Sequence, residues 1–242
     1  YVYTRRWNTV AVITDGTACL NNVSFASDVP HASYAHPAGT TIHFPFDGSL
    51  AAALRDATTN EYDLSVKSGR PVYSAEGRSG GCLYFDGSTV LEVTPFPELV
   101  PTGNAPYTVS LWAKAAEGCN THGGWIGYGK SGVNGGANNF RLNGNYAKIW
   151  NYWHGRDAGA ELPSGNFTDG WHHVVGTYDG TTRRIYCDGV LKTTDSSYTP
   201  DFGNEQFLIG KTLNDVNFTG WIDDLLIATR AFTDVEVAAL YQ

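Results

Sequence analysis

The 242 residues carry 16 Lys and Arg against 24 Asp and Glu, a formal charge of −8. That balance argues against nucleic acid and anionic membranes as partners, since both demand clustered positive charge. Hydrophobic residues at 42% and aromatics at 13% exclude disorder as the overall state, and no segment approaches the ~18 apolar residues of a membrane insertion.

Residues 1–40 differ from the rest of the chain. Tyr1–Ile13 contains strand-forming residues, Asp15-Gly16 offers a turn, and 26–40 is rich in Ala, Ser, Pro, His and Gly. This stretch reads as an N-terminal extension. It serves either as an extra edge strand of its own domain or as a strand that pairs with a neighbouring subunit. There is no Met, even at position 1, so the chain reads as a processed or excised piece.

From residue 41 the pattern becomes regular. Short alternating runs span 41–46, 82–85, 107–113, 140–142, 148–153, 171–178, 184–187, 207–209 and 221–228. Asp47-Gly48, Asp86-Gly87, Asp179-Gly180 and Asp188-Gly189 fall between them and supply the positive φ of tight hairpins. Evenly spaced strands and turns predict an all-β antiparallel sandwich or barrel over 41–242. In 107–114, Tyr107, Val109, Leu111 and Ala113 share the core face, and Thr108, Ser110, Trp112 and Lys114 share a face expected to be mostly wet. The glycine-rich 123–136 reads as a long surface loop. Thr233-Asp-Val-Glu236 is a capping box for a short C-terminal helix, with Val235, Ala238, Ala239 and Leu240 on its apolar side.

Four cysteines (Cys19, Cys82, Cys119, Cys187) show no C-x-x-C spacing, which disfavours zinc and leaves two disulfides or four buried thiols. Of three connectivities, Cys19–Cys82 and Cys119–Cys187 is preferred. Sequons at Asn22, Asn166 and Asn217 add to the picture of a glycoprotein that is secreted, extracellular or on the cell surface.

Several ordered blocks carry a resemblance. They are Ile42-His-Phe-Pro-Phe-Asp-Gly-Ser49, Cys82-Leu-Tyr-Phe-Asp-Gly-Ser88, Tyr107–Lys114, Asp169-Gly-Trp-His-His-Val-Val-Gly-Thr-Tyr-Asp-Gly180, Arg184-Ile-Tyr-Cys-Asp-Gly-Val190 and Gly220-Trp-Ile-Asp-Asp-Leu-Leu-Ile227, followed by Arg230–Glu236 and Ala239-Leu-Tyr241. Together 41–242 resembles the laminin-G-like jellyroll group of the concanavalin A-like lectin/glucanase superfamily. The resemblance implies a two-sheet antiparallel jellyroll sandwich, a fold that hosts lectins, adhesion modules and glycosidases alike.

The glycosidases of that superfamily place two carboxylates on one strand as Glu-x-Asp-x-Glu. No two of the eight glutamates here lie within four residues of each other, and Asp223 and Asp224 are adjacent. His172 and His173 are neighbours on a strand and point apart, which suits structural roles. No catalytic residue is therefore expected. The resemblance also implies one structural Ca2+, held by Asp47, Asp223 and Asp86. Asp223 would share its face with Leu225 and Ile227, and a buried carboxylate there must be paired, capped or metal-bound. The alternative is that Asp47 and Asp86 only open turns and Asp223 accepts backbone N–H groups. For ligands, Trp150, Asn151 and Tyr152, with Trp125 and Tyr128, could form an aromatic platform for a sugar; the alternative is that these rings are core.

The sequence thus supports a non-catalytic extracellular recognition module for a glycan or a protein partner. The competing readings are a structural or adhesive subunit that self-assembles through residues 1–40 and a glycoside hydrolase with a non-standard site.

Overall fold

The computed structural model describes residues 36–242. Tyr1–Ile13, Cys19, Asn22 and nearly all of the expected extension lie outside them. β1 (Thr40–Phe44) is followed by a one-turn helix α1 (Leu50–Ala53) and the short strands β2 (Ser65–Ser68), β3 (Val72–Ser74), β4 (Cys82–Asp86) and β5 (Val90–Glu92). Next come β6 (Tyr107–Ala115), β7 (Gly124–Gly129), β8 (Ala137–Asn143), β9 (Lys148–Tyr152) and β10 (Asp157–Glu161). β11 (His172–Tyr178), β12 (Arg183–Cys187), β13 (Val190–Asp195), β14 (Gln206–Ile209), β15 (Thr219–Ala228) and α2 (Asp234–Tyr241) complete the order.

The strands form two antiparallel sheets. The eight-stranded sheet runs β13-β12-β11-β6-β15-β4-β3, with β1 also on β15; the seven-stranded sheet runs β10-β9-β8-β7-β14-β5-β2. Each of the nine alternating runs falls on a strand. The expected core face of β6 holds: Tyr107, Val109, Leu111 and Ala113 are buried between the sheets with Ile222, Leu225, Ile227, Phe140 and Ile149. The sandwich starts slightly earlier than residue 41. The backbone of Ala38 and Gly39 already accepts bonds from Arg230 Nε (2.6 Å) and Thr229 N (2.9 Å).

Several expectations need correction. The other face of β6 is not wet: Thr108, Ser110 and Trp112 are all buried. Phe232, Val237 and Leu240 pack with Val175, Tyr186 and Leu226 of the eight-stranded sheet, and Tyr241 stacks on Trp112 at 5.5 Å. The inward side of α2 is accordingly Val237 and Leu240, whereas Val235 is 80% exposed. The capping box itself forms, with Glu236 N donating to Thr233 Oγ1 at 3.3 Å and Thr233 N donating to Glu236 Oε2 at 2.9 Å.

Glycine-rich 123–136 is not one loop, because Gly124–Gly129 is β7. Its glycines let another segment lie on the sheet: a Cβ at Gly124 would sit 2.3 Å from Thr212 N, and one at Gly127 would sit 2.8 Å from Leu213 N. Asp47-Gly48 opens no hairpin; it leads into α1, whose N-cap Ser49 accepts from Ala52 N.

A further correction concerns β15. Asp223 pairs with Trp112 and Leu226 pairs with Ser110, so three steps on β15 answer two on β6. This is a bulge, and Asp224 takes the left-handed conformation there, at φ 52°. The extra residue switches the alternation. Ile222, Leu225 and Ile227 face the core, and Asp223 shares the opposite face with Leu226.

Candidate binding surface and metal sites

The outer faces of the two sheets differ. On the seven-stranded sheet, β9 turns Ile149 and Asn151 inward and Trp150 and Tyr152 outward. Trp150 is half-buried. Its partner on β10 is Gly159, where a Cβ would lie 2.3 Å from Trp150 Cζ3, so the missing side chain lets the indole lie across the β10 backbone. On the other side Trp150 pairs with Arg141 of β8. Arg141 forms an ion pair with Asp215 at 3.0 Å and places its guanidinium 5.4 Å from the centre of the Tyr152 ring. Tyr152 donates its hydroxyl to Thr212 Oγ1 at 3.1 Å, and burial is the main reason its pKa rises. Tyr152 is itself buried, at 7% exposure, so Trp150 is the ring this face presents, beside the fixed charges of Arg141 and Asp215.

Not all the expected sugar-binding residues reach that patch. Trp125 and Tyr128 are fully buried core residues. Asn151 is also buried: it donates to Asn138 Oδ1 at 2.8 Å and to Asn139 O at 3.0 Å, and it accepts from Arg183 Nη1 at 3.3 Å. Its amide is used up in holding Arg183, whose guanidinium lies 3.9 Å from the centre of the Trp153 ring. Sequence pattern alone missed Arg141 and Asp215, which only the β8–β9 register and the 210–218 loop bring to Trp150.

The expected calcium ligands divide in two. Asp47 and Asp223 both meet the loop between β3 and β4. Gly81 N donates to Asp47 Oδ1 at 2.6 Å, and Ser79 N donates to Asp223 Oδ2 at 3.0 Å. Two glycines allow this approach: a Cβ at Gly80 would lie 2.1 Å from Asp47 Oδ1, and one at Gly77 would lie 2.7 Å from Asp223 Oδ2. Asp86 is elsewhere, opposite Thr219 at the far end of β4. It accepts from Ser88 and Thr89 within its own turn, and those bonds hold its carboxyl at about 2. Asp86 thus caps its own turn, apart from Asp47 and Asp223.

A second buried aspartate shows what Asp223 lacks. Asp56 is fully buried and accepts four hydrogen bonds, from His43 N, Thr58 N, Thr58 Oγ1 and Tyr62 N, at 2.8–3.1 Å. Asp223 is equally buried, yet its Oδ1 has no hydrogen-bond partner. Burial first, with the nearby Asp224 and Asp47 carboxylates, raises its pKa to about 8. An orphaned carboxylate oxygen beside a second carboxylate fits a hard cation.

No disulfide joins the described cysteines. Cys82, Cys119 and Cys187 are free, buried thiols, so Cys119–Cys187 is not formed, and Cys82 stands unpaired while Cys19 is not described. Each packs as a small apolar side chain, and burial raises all three pKa values, Cys82 to about 11. Asn166 and Asn217 are half-buried, with the middle residues of their sequons, Phe167 and Phe218, in the core. His172 and His173 do point apart: His172 Nδ1 meets Asp188 Oδ2 at 2.9 Å, and His173 Nε2 meets Ser110 Oγ at 2.8 Å. Burial lowers the His173 pKa to about 4.

Two facing antiparallel sheets with strand-crossing connections define a jellyroll sandwich of the lectin type. The chain belongs to the concanavalin A-like lectin/glucanases superfamily, whose laminin G model matches residues 85–238. No curated protein matches the chain by sequence. Among solved structures it is similar to domain 4 of AbnA, a GH43 extracellular arabinanase from Geobacillus stearothermophilus, in complex with arabinotriose. Identity is 23%, the TM-score is 0.65, and the match covers 84% of this chain and 98% of that one. It is also similar to the binding domain of botulinum neurotoxin serotype G (15% identity, TM-score 0.63, 83% and 50% covered). A third is the binding domain of botulinum neurotoxin DC in complex with rat synaptotagmin II (15%, 0.60, 84% and 51%). The chain spans about half the length of these toxin domains. At such identities the likeness concerns the fold.

Proposed function

We propose that this chain is a non-catalytic carbohydrate-recognition module acting outside the cell, and that it binds glycan on the outer face of the seven-stranded sheet. The observation that carries this reading is Trp150, partly exposed and laid across Gly159 beside the Arg141–Asp215 pair. An indole face stacks on sugar C–H groups, and fixed charged groups beside it bond hydroxyls. The arabinotriose bound to the similar arabinanase domain supports a sugar as the class of ligand. The absence of Glu-x-Asp-x-Glu from the sequence supports binding without hydrolysis. No helix among the described residues is long and apolar enough to cross a membrane, which is compatible with a module that works outside the cell.

Asp47 and Asp223 would hold one Ca2+, with backbone carbonyls and water filling the remaining positions. Its role would be structural, compensating the buried Asp223 carboxylate and tying the 76–81 loop to β15.

The test is a glycan-array screen that includes arabinotriose, followed by calorimetry on the best ligand. Trp150→Ala is expected to weaken binding at least tenfold and to leave the melting temperature nearly unchanged. If the array is blank and the chain instead captures a protein ectodomain with Trp150 at the contact, the partner is a protein. If Trp150→Ala binds sugar as wild type does, the site lies elsewhere.

A further inference from the structure

The sequence singles out His172 and Cys187 for other reasons, one as a strand residue and one as half of a disulfide. The fold brings them together. His172 opens β11 and Cys187 ends β12. Asp188 follows at φ 51°, a left-handed turn, and its carboxylate bonds back to β11. There Asp188 Oδ1 accepts from His173 N at 2.9 Å, and Oδ2 meets His172 Nδ1 at 2.9 Å. The Asp188 backbone N–H donates to His173 O at 3.0 Å, so the turn is fixed at both ends. One donor atom from each of His172, Cys187 and Asp188 lies within 4.8 Å of the other two. Cys187 is fully buried, while His172 and Asp188 keep 15% and 14% of their side-chain surface, which leaves a way in from solvent.

We propose that His172, Cys187 and Asp188 form a binding site for a borderline-soft divalent cation, with Zn2+ the best fit. The donor set is one imidazole nitrogen, one sulfur and one carboxylate oxygen. Ca2+ takes oxygen ligands and would not choose sulfur, whereas Zn2+ accepts all three and favours four-coordination. Three protein ligands leave the fourth position for water. Two features prepare the site. The His173 N–H holds Asp188 Oδ1, so that Oδ2 faces His172 Nδ1 and a metal would take the place of the proton between them, and the Phe167 ring, 5.2 Å from the His172 ring, limits its rotation. Binding replaces a proton with metal: Cys187–SH and M2+ give Cys187–S–M+ and H+, and His172 carries its remaining proton on Nε2. The metal would pin the start of β11 to the β12–β13 turn. This site is independent of the proposed sugar surface and of the Asp47–Asp223 pair.

The test uses the whole chain, reduced and stripped of metal, titrated with Co2+ as a spectroscopic stand-in. One equivalent is expected to produce a thiolate-to-cobalt charge-transfer band in the near ultraviolet, and Zn2+ is expected to displace it. Cys187→Ser removes the band; Cys19→Ser, Cys82→Ser and Cys119→Ser keep it. His172→Ala, which retains the thiol, weakens Co2+ binding at least tenfold, so the outcome does not depend on how Cys187→Ser folds. A wild-type chain without the band overturns the proposal, as does a band that survives in Cys187→Ser.

Discussion

The two outer faces of this sandwich are built from the same kind of strand and end in opposite states. The outer face of the eight-stranded sheet carries Ser110, Trp112 and His173 and is covered by α2 and the segment that leads into it. Trp112 packs there against both His173 and Tyr241, at 4.9 and 5.5 Å between ring centres, with the Arg78 guanidinium 4.4 Å from its ring centre. Among the described residues, no helix lies over Trp150 on the outer face of the seven-stranded sheet. A tryptophan on each face has therefore become a packing element in one case and an available surface in the other. Alternation along a strand cannot make that distinction, because a distant segment decides which face stays wet.

The largest effect that separates the faces is on stability. Trp112→Ala empties an enclosed position and should cost about 3–5 kcal/mol in denaturant unfolding, against about 1 kcal/mol or less for Trp150→Ala. Similar losses would mean that Trp150 is as structural as Trp112.

Next is acid sensitivity. His173 is neutral in the folded chain down to about pH 4, while in the unfolded chain it gains a proton below its ordinary 6.5. Between those values the unfolded state binds more protons, so stability falls as pH falls, by up to about 3 kcal/mol from this residue. His173→Phe should flatten the stability profile between pH 6.5 and 4. Titration curves that run parallel for the variant and wild type would remove His173 from the acid response.

A smaller effect, about 1–3 kcal/mol near saturating metal, is expected from calcium at Asp47 and Asp223. EDTA should lower the melting temperature, Ca2+ should restore it, and Asp223→Asn should abolish that response. A calcium response that persists in Asp223→Asn would assign it to other ligands. The smallest is the helix that makes the covered face. Glu236 both completes the capping box and pairs with Arg230 at 2.5 and 2.9 Å. Glu236→Ala should cost about 1 kcal/mol in denaturant unfolding, and no loss would mean α2 is held by Val237 and Tyr241 alone.

Much of the fold was legible in the residues, because the alternating runs and the capping box are local signals. What was not legible depended on long-range register. The bulge at Asp224 placed Asp223 with Leu226 rather than with Leu225, and no local pattern announces an extra residue. β7 was hidden by its glycines, which are there so that Thr212 and Leu213 can lie close. Asn151 looked like a hydroxyl-binding group, yet its bonds to Asn138 and Arg183 keep it inside. The cysteines gave the least away, since spacing cannot separate a bridge from a packed thiol, and the His172–Cys187–Asp188 group exists only once β11 and β12 pair.

The most direct test of the difference between the faces is to follow the tryptophan indole N–H resonances by two-dimensional NMR while a glycan from the array is added. The expected result is a shift of the Trp150 indole and the Arg141 side chain, with Trp112 unmoved. A shift at Trp112 with none at Trp150 would contradict the assignment of the binding surface to the seven-stranded sheet.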